Sequence, residues 1–91
     1  MPASVLDRAW ELAPQVSVRP EPFGALLYHF GTRRLSFLKD RRLLAVVQGL
    51  REAPTARQAC AAAGVDGAEL TAYERALARL AATDMVRERG R

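Results

Sequence analysis

Residues 19–38 read RPEPFGALLYHFGTRRLSFL, and this stretch decides the fold. Two apolar runs flank one short polar turn, since Ala25 to Phe30 is rich in aromatic and aliphatic residues and Arg34 to Leu38 alternates polar with apolar residues. Between them, Gly31-Thr32-Arg33 has the length and the glycine of a hairpin loop. The pattern predicts a β-hairpin. Because an isolated hairpin is only marginally stable in water, the rest of the chain must cover one of its faces.

The segment before the hairpin predicts one more strand. Val16 and Val18 alternate with polar residues, which indicates a strand from about Gln15 to Arg19. Two prolines follow in Arg19-Pro-Glu-Pro22, and we expect them to end this strand and to form a rigid extended connector. The preceding segment, Ser4 to Ala13, fits either a helical turn or a lead-in strand, with Trp10 as its anchor on the core.

Three helices are predicted after the hairpin, each from a capping residue and an apolar periodicity. Asp40 can cap the first helix, and Thr55 with Gln58 makes a capping box for the second, which should end at Gly64. Asp66 and Glu69 repeat the capping pattern before the third helix, and Met85 and Val86 then continue as a short extended tail. The buried faces are expected to hold Leu43, Leu44, Val46, Val47 and Leu50 in the first helix and Leu70, Tyr73, Leu77 and Leu80 in the third.

The order of these elements predicts an α+β domain of winged helix-turn-helix-like architecture, in which a three-stranded antiparallel sheet precedes three helices. At 91 residues and 49% hydrophobic composition, the chain fits a single domain over residues 1–91, with residues 1–9 and 89–91 as mobile tails. It shows neither a signal peptide nor an apolar run of membrane-spanning length, so we expect a cytoplasmic protein.

The charge of the chain indicates an acidic partner. The formal net charge is +4, and thirteen of the fourteen basic residues are arginines, which favour forked contacts to carboxylate or phosphate. Nucleic acid, an anionic membrane surface and an acidic peptide all meet this description. A winged-helix DNA-binding regulator is therefore one hypothesis, but a recognition helix needs donors in its first turns, and here those positions hold Asp66, Glu69 and Glu74.

The same scaffold also suits peptide capture. If the strand from Arg34 to Leu38 lies at an exposed sheet edge beside the third helix, an extended peptide can add to it as a further strand. Apolar side chains would line the pockets, and arginines would pair with peptide carboxylates. The candidate peptide-binding residues are Arg34, Leu35, Ser36, Phe37, Leu38, Leu70, Tyr73, Glu74 and Leu77, with Arg75 and Arg79 as contacts to an acidic peptide.

Catalytic chemistry is scarce in this sequence. One histidine, one cysteine and no nucleophile-base grouping argue against an enzyme, and no Cys/His spacing suits a metal. His29 lies between two aromatic residues of a strand and is interpreted as structural. Cys60 lies among alanines and is expected to pack as a small apolar side chain. We therefore expect no cofactor.

The run RPEPFGALLYHF from Arg19 to Phe30, followed by a helical second half, resembles the mycofactocin biosynthesis chaperones, a stand-alone branch of the PqqD-like RiPP recognition elements. The resemblance covers roughly residues 10–88. It implies a non-catalytic chaperone that binds the leader of a ribosomally synthesised precursor peptide and delivers it to a radical S-adenosylmethionine (radical SAM) maturase, which carries the iron–sulfur chemistry. It places the leader groove on Arg34 to Leu38 and on the exposed side of the third helix around Leu70 to Leu77.

Partner expectations follow from this resemblance. The expected partners are the precursor peptide and the maturase, and neither nucleic acid nor a membrane is expected as a partner. The protein itself is expected to be a monomer or a weak, domain-swapped dimer. The DNA-binding regulator stays the alternative function, and a dimeric structural adaptor is a third.

Overall fold

A computed structural model of the chain describes residues 4–89. The predicted class, a three-stranded antiparallel sheet followed by three helices, is confirmed, and a separate pair of short strands accompanies it. In chain order the elements are a 3-10 turn (Val5–Asp7), β1 (Trp10–Leu12), β2 (Val16–Glu21), β3 (Gly24–His29), β4 (Leu35–Leu38), α1 (Arg41–Gly49), a second 3-10 turn (Leu50–Glu52), α2 (Ala56–Ala62), α3 (Leu70–Ala82) and β5 (Val86–Glu88).

The sheet has β3 at its centre and β2 and β4 as its two edges. Ala25 and Leu27 of β3 are fully buried beneath the helices, whereas the alternate residues of this strand point to the other face. In β4, Leu38 is buried opposite Ala25, and Phe37 is exposed opposite Leu26. One face of the sheet thus forms the core and the other faces solvent.

The prediction that the prolines end the first strand is wrong. β2 continues through Arg19 and Pro20 to Glu21, which pairs with Gly24 across a two-residue turn. The Phe30 N–H donates to the Gln15 carbonyl, so these two residues form a hydrogen-bonded pair between β2 and β3. Hydrogen-bonded and non-hydrogen-bonded pairs alternate along an antiparallel ladder, and Pro20, five positions after Gln15, belongs to a non-hydrogen-bonded pair. The nitrogen of Pro20 therefore points to the open side of this edge strand. A proline costs no ladder hydrogen bond there.

The hairpin loop is longer than predicted and is organised by His29. The strands end at His29 and resume at Leu35, and Arg33 takes the left-handed conformation with φ 62°. Nδ1 of the buried His29 accepts hydrogen bonds from the backbone N–H groups of Gly31 and Thr32, each at 3.0 Å. The structural role predicted for His29 is therefore the closing of this loop.

The predicted helix caps are observed. The Asp40 carboxylate accepts from the N–H of Arg42 at the start of α1, and the Thr55 hydroxyl accepts from the N–H of Gln58 at the start of α2. Asp66 and Glu69 exchange side-chain-to-backbone hydrogen bonds, although the regular helix begins only at Leu70 after a turn. Gly64 ends the second helical segment with φ +86°, as expected of a helix C-terminus.

The N-terminal segment contains both of the structures that were considered for it. A 3-10 turn precedes β1, and β1 pairs antiparallel with β5, which is the short extended segment predicted after the third helix. Leu6 lies in the region expected to be a tail, yet its side chain is buried in the core. Arg89, also expected in a tail, donates to the backbone carbonyls of Arg51 and Ala53. The outer parts of both predicted tails, residues 1–3 and 90–91, lie outside the described residues.

The core lies between the inner face of the sheet and the three helices, and the β1–β5 pair closes one side of it. Its fully buried side chains come from almost every element. Cys60 is among them, and burial raises the pKa of its thiol, which agrees with a packing role. Among residues 4–89, no helix combines the length and the apolar character that crossing a bilayer demands. The largest buried side chains are Leu27, Leu38, Leu50, Leu77, Met85, Val46, Val47 and Cys60.

Candidate functional site

A groove runs along the outer edge of β4, between this strand and the helices, with a volume of about 280 Å³. We call it the β4–α3 groove. Its strand wall is the whole of β4, its floor includes one residue of α1, and its far wall is α3. The lining residues are Leu35, Ser36, Phe37, Leu38, Leu43, Ala76, Arg79, Leu80 and Thr83.

The strand wall offers free backbone groups. The N–H of His29 donates to the carbonyl of Arg34, so the alternating pattern directs the backbone of Ser36 and Leu38 toward β3. The N–H and C=O groups of Leu35 and Phe37 then point away from the sheet. Within the described part of the chain no strand pairs with this edge. It is therefore a template for one additional strand.

Small side chains shape the helix wall. Ala72 and Ala76 lie one turn apart on α3, and both line a smaller pocket of about 120 Å³ that also touches Asp40, Leu43 and Tyr73. The two cavities share Leu43 and Ala76, so the groove continues toward the N-terminus of α1. Alanine at these positions leaves space that a larger residue would fill.

A hydrogen bond between α3 and the start of α1 fixes this end of the groove. The Tyr73 hydroxyl donates to the Asp40 carboxylate, which also caps α1. Burial and this hydrogen bond raise the pKa of Tyr73 to about 12. The hydrogen bond from Tyr73 in turn lowers the pKa of Asp40. At neutral pH the pair is thus a phenol bound to a carboxylate, and it has a structural role.

Three basic residues at the groove have no ion-pair partner among residues 4–89. Arg34 and Lys39 flank β4 on both sides, and Arg79 contributes to the helix wall. None of the three forms an ion pair within residues 4–89, whereas Arg42 nearby is paired with Glu69. The arrangement leaves cationic groups available to carboxylates of a ligand.

The structure brings together only part of the predicted site. Leu35, Ser36, Phe37, Leu38 and Arg79 line the groove, Tyr73 lines the adjoining pocket, and Arg34 directly precedes β4 without being among the lining residues. The other candidates are placed elsewhere for identifiable reasons. Leu77 is 1% exposed in the core, Leu70 packs against the core, Glu74 accepts a hydrogen bond from the Ser4 hydroxyl, and Arg75 is exposed outside the lining.

Sequence reasoning missed the residues that give the groove its depth. Leu43 was assigned only to a buried helix face, and Ala72, Ala76 and Thr83 were not considered. A usable signal was present, because Ala72, Ala76, Arg79 and Thr83 recur at helical spacing beside the core stripe. Two small residues next to a core stripe indicate a wall with room in front of it.

The described residues provide no metal site, since no three His, Cys, Asp or Glu side chains among them come close enough to bind an ion. The groove contains no histidine and no cysteine. Its chemistry is limited to backbone hydrogen bonds, apolar contacts and arginine–carboxylate pairs. This combination suits the binding of an extended peptide.

Comparison with known proteins gives a consistent result. The chain is 61% identical over 80 residues to the peptide chaperone MftB of Mycobacterium tuberculosis and, equally, to that of Mycobacterium ulcerans; each match covers 88% of this chain and 73% of the relative. It is 54% identical over 80 residues to the peptide chaperone MftB of Mycolicibacterium smegmatis, covering 88% of this chain and 78% of the relative.

No solved structure matches the chain. The model of one protein family matches residues 9–87, which is nearly all of the region that the structure describes. This family consists of peptide chaperones, which are not enzymes, so the non-catalytic assignment is confirmed. The chain belongs to the peptide chaperone MftB family.

Proposed function

We propose that this chaperone binds the leader of a ribosomally synthesised precursor peptide, that of mycofactocin, as a fourth strand along β4 and delivers it to a radical SAM maturase. The observation that carries the proposal is the edge of β4, which no strand of residues 4–89 covers and which lies directly beside a groove with a helix wall. Strand addition uses backbone hydrogen bonds for affinity and side-chain pockets for selectivity. The groove supplies both.

Selectivity would come from the two sides of the added strand. Because side chains of a strand alternate, every second peptide residue would point into the groove toward Leu43 and Ala76. The remaining residues would lie over Leu35 and Phe37 on the solvent side of the sheet, where both side chains are exposed. We therefore expect a leader with apolar residues at alternating positions.

The charges around the groove favour an acidic leader. Arg34, Lys39 and Arg79 lack carboxylate partners within residues 4–89, so peptide carboxylates near them would form new ion pairs. Arg75 stays a weaker candidate because it lies outside the groove lining. Such exposed pairs contribute mainly to the association rate and are weakened by salt.

A proline substitution tests the strand-addition mode directly. Leu35→Pro removes an outward N–H from β4 together with the side chain, and Leu35→Ala removes only the side chain. Titration of fluorescently labelled precursor peptide should show about three- to tenfold weaker binding for Leu35→Pro than for Leu35→Ala, the effect of one lost hydrogen bond. Circular dichroism must show an intact fold for both variants. Equal affinities would contradict strand addition.

A second titration separates this function from DNA binding. Labelled precursor peptide and random duplex DNA are titrated separately at moderate salt. Tight peptide binding with negligible DNA affinity is the expected result. The opposite result would favour the winged-helix regulator.

A further inference from the structure

The solvent face of the three-stranded sheet carries a continuous apolar cluster. Phe30 is 62% exposed, Phe37 60%, Leu35 55% and Phe23 47%, and within residues 4–89 these are the exposed large hydrophobic residues. All four lie on the same side of the sheet. With two half-buried residues of β3 they form what we call the aromatic face, consisting of Phe23, Leu26, Tyr28, Phe30, Leu35 and Phe37.

The geometry of the strands makes this cluster continuous. Leu26 and Tyr28 point outward because their neighbours in β3 point into the core, and they lie opposite Phe37 and Leu35 of β4. The Phe23 and Phe37 rings lie 6.4 Å apart between centroids, at the end where β2 turns into β3. At the other end, the Tyr28 and Phe30 rings meet edge to face at 5.2 Å. An exposed aromatic cluster of this extent is typical of a protein interaction surface.

The charges at its border argue against a second copy of the same chain. Arg19 lies beside Leu26 in the β2–β3 register, and Arg33 and Arg34 belong to the loop at the opposite end. Arg19 is paired with the Glu21 carboxylate at 2.8 Å, so this pair carries no net charge, and the positive charge of the border comes from the loop arginines, which form no ion pair within residues 4–89. The described part of a second copy would offer the loop arginines no free carboxylate from this face, whereas a partner with carboxylates around an apolar centre would match them.

We propose that the aromatic face docks a folded protein that presents apolar side chains ringed by carboxylates, and that this protein is the enzyme that modifies the bound peptide. This inference rests on the proposed function. Leu35 and Phe37 belong both to the aromatic face and to the β4–α3 groove, so a protein seated on the face lies next to the peptide. Aromatic residues and arginine are the residue types enriched in protein interfaces.

The test uses side chains that belong to the aromatic face but do not line the groove. In the double variant Phe23→Ser, Phe30→Ser, both changes affect exposed rings, so the fold should persist. Binding of the purified maturase and of labelled precursor peptide is measured separately for the wild type and the variant. We expect maturase affinity to fall at least tenfold and peptide affinity to stay within threefold.

A charge reversal gives an independent measurement. Arg33→Glu should slow maturase association several-fold at low salt and less at high salt. The control is Arg51→Glu, the same change on the 3-10 turn that packs against β1, outside the sheet. The control should associate at the wild-type rate. Equal slowing by both reversals would overturn a specific role for the border of the aromatic face.

Four outcomes would overturn the docking surface. One is wild-type maturase affinity in the folded double variant. Another is a wild-type dimer in analytical ultracentrifugation that the variant loses, since a second copy would then occupy the face. A third is binding to phosphatidylglycerol vesicles that the variant loses, which would assign the face to a membrane. Peptide binding without any maturase binding by the wild type overturns the docking surface alone, whereas absence of both also overturns the proposed function.

Discussion

Substitution of Gly24 is the sharpest test of how the sheet is joined to the helices. Gly24 begins β3 with φ +154°, and a Cβ there would lie 2.0 Å from the carbonyl oxygen of Leu38 and 2.8 Å from the backbone nitrogen of Asp40. Both contacts are with backbone, at the junction between β4 and α1. Since real Cβ atoms do not approach closer than 3.0 Å, Gly24→Ala must displace this junction by at least 1 Å.

The cost of this change has two components. Overpacking in a well-packed region costs about 1–3 kcal/mol, and a non-glycine residue at a strained φ costs about 1–3 kcal/mol more. Together they should lower the free energy of unfolding by about 2–6 kcal/mol, against a total of about 5–14 kcal/mol for a domain of this size. One kcal/mol corresponds to roughly 4–8 °C in Tm, so a decrease of at least about 8 °C is expected.

Thermal unfolding followed by circular dichroism measures this effect, with Gly49→Ala as the matched control. Gly49 lies in the last turn of α1, and an added Cβ there meets no atom within 4 Å. The control should melt at or slightly above the wild-type temperature, because alanine is favoured over glycine in helices by up to about 1 kcal/mol. If Gly24→Ala melts within 2 °C of the wild type, or no lower than Gly49→Ala, the close packing of β3 against the β4–α1 junction is refuted.

Four further predictions concern the loop, the Tyr73–Asp40 pair and the groove charges. His29→Phe should destabilise the protein by about 1–2 kcal/mol in urea unfolding, because two loop N–H groups lose their acceptor, and His29→Asn should cost less; equal losses would contradict this role. Tyr73→Phe should lower the free energy of unfolding by about 1–3 kcal/mol, and an unchanged urea midpoint would argue against the hydrogen bond to Asp40. Because the pKa of Tyr73 is raised to about 12, its contribution to the free energy of unfolding should be complete below about pH 10 and should be lost as the pH rises from about 10 to about 12. Because the pKa of Asp40 is lowered, its contribution should be lost as the pH falls below about 4. In a pH titration of stability, Tyr73→Phe should lack the alkaline loss. Arg79→Glu should weaken peptide binding about two- to fivefold at low salt, and Arg75→Glu, outside the groove lining, should weaken it less, so the reverse order would assign the charge contact to Arg75.

The features that sequence reasoning predicted correctly depend on short-range interactions. Helix caps such as those at Asp40 and Thr55 involve residues two or three positions apart, so the sequence itself displays the hydrogen-bonding partners. The hairpin likewise follows from local alternation. Pro20 misled the strand assignment because its effect depends on whether its nitrogen faces a neighbouring strand, which is a property of the sheet and not of the residue.

The candidate site was predictable at the strand and less so at the helix. Leu35 and Phe37 were predicted as pocket-lining residues between the strand and the helix; both belong to the groove lining, but their side chains are exposed on the solvent face of the sheet. On α3, the groove wall was placed around Leu70 to Leu77, but Leu77 fills the core, and the groove is lined from Ala76 onward, by Ala76, Arg79, Leu80 and Thr83. Periodicity reports which side of a helix is apolar; it does not report where packing stops and a cavity begins.

The pairing of β1 with β5 has a consequence for when the molecule can finish folding. Glu11 lies opposite Arg87 in this pair, and the adjacent Met85 and Val86 are buried in the core. A growing chain therefore cannot complete its interior until these late residues have been synthesised, however early the hairpin and the first two helices form. Contacts between such distant segments close slowly, so the pairing of β1 with β5 should be a late step of folding.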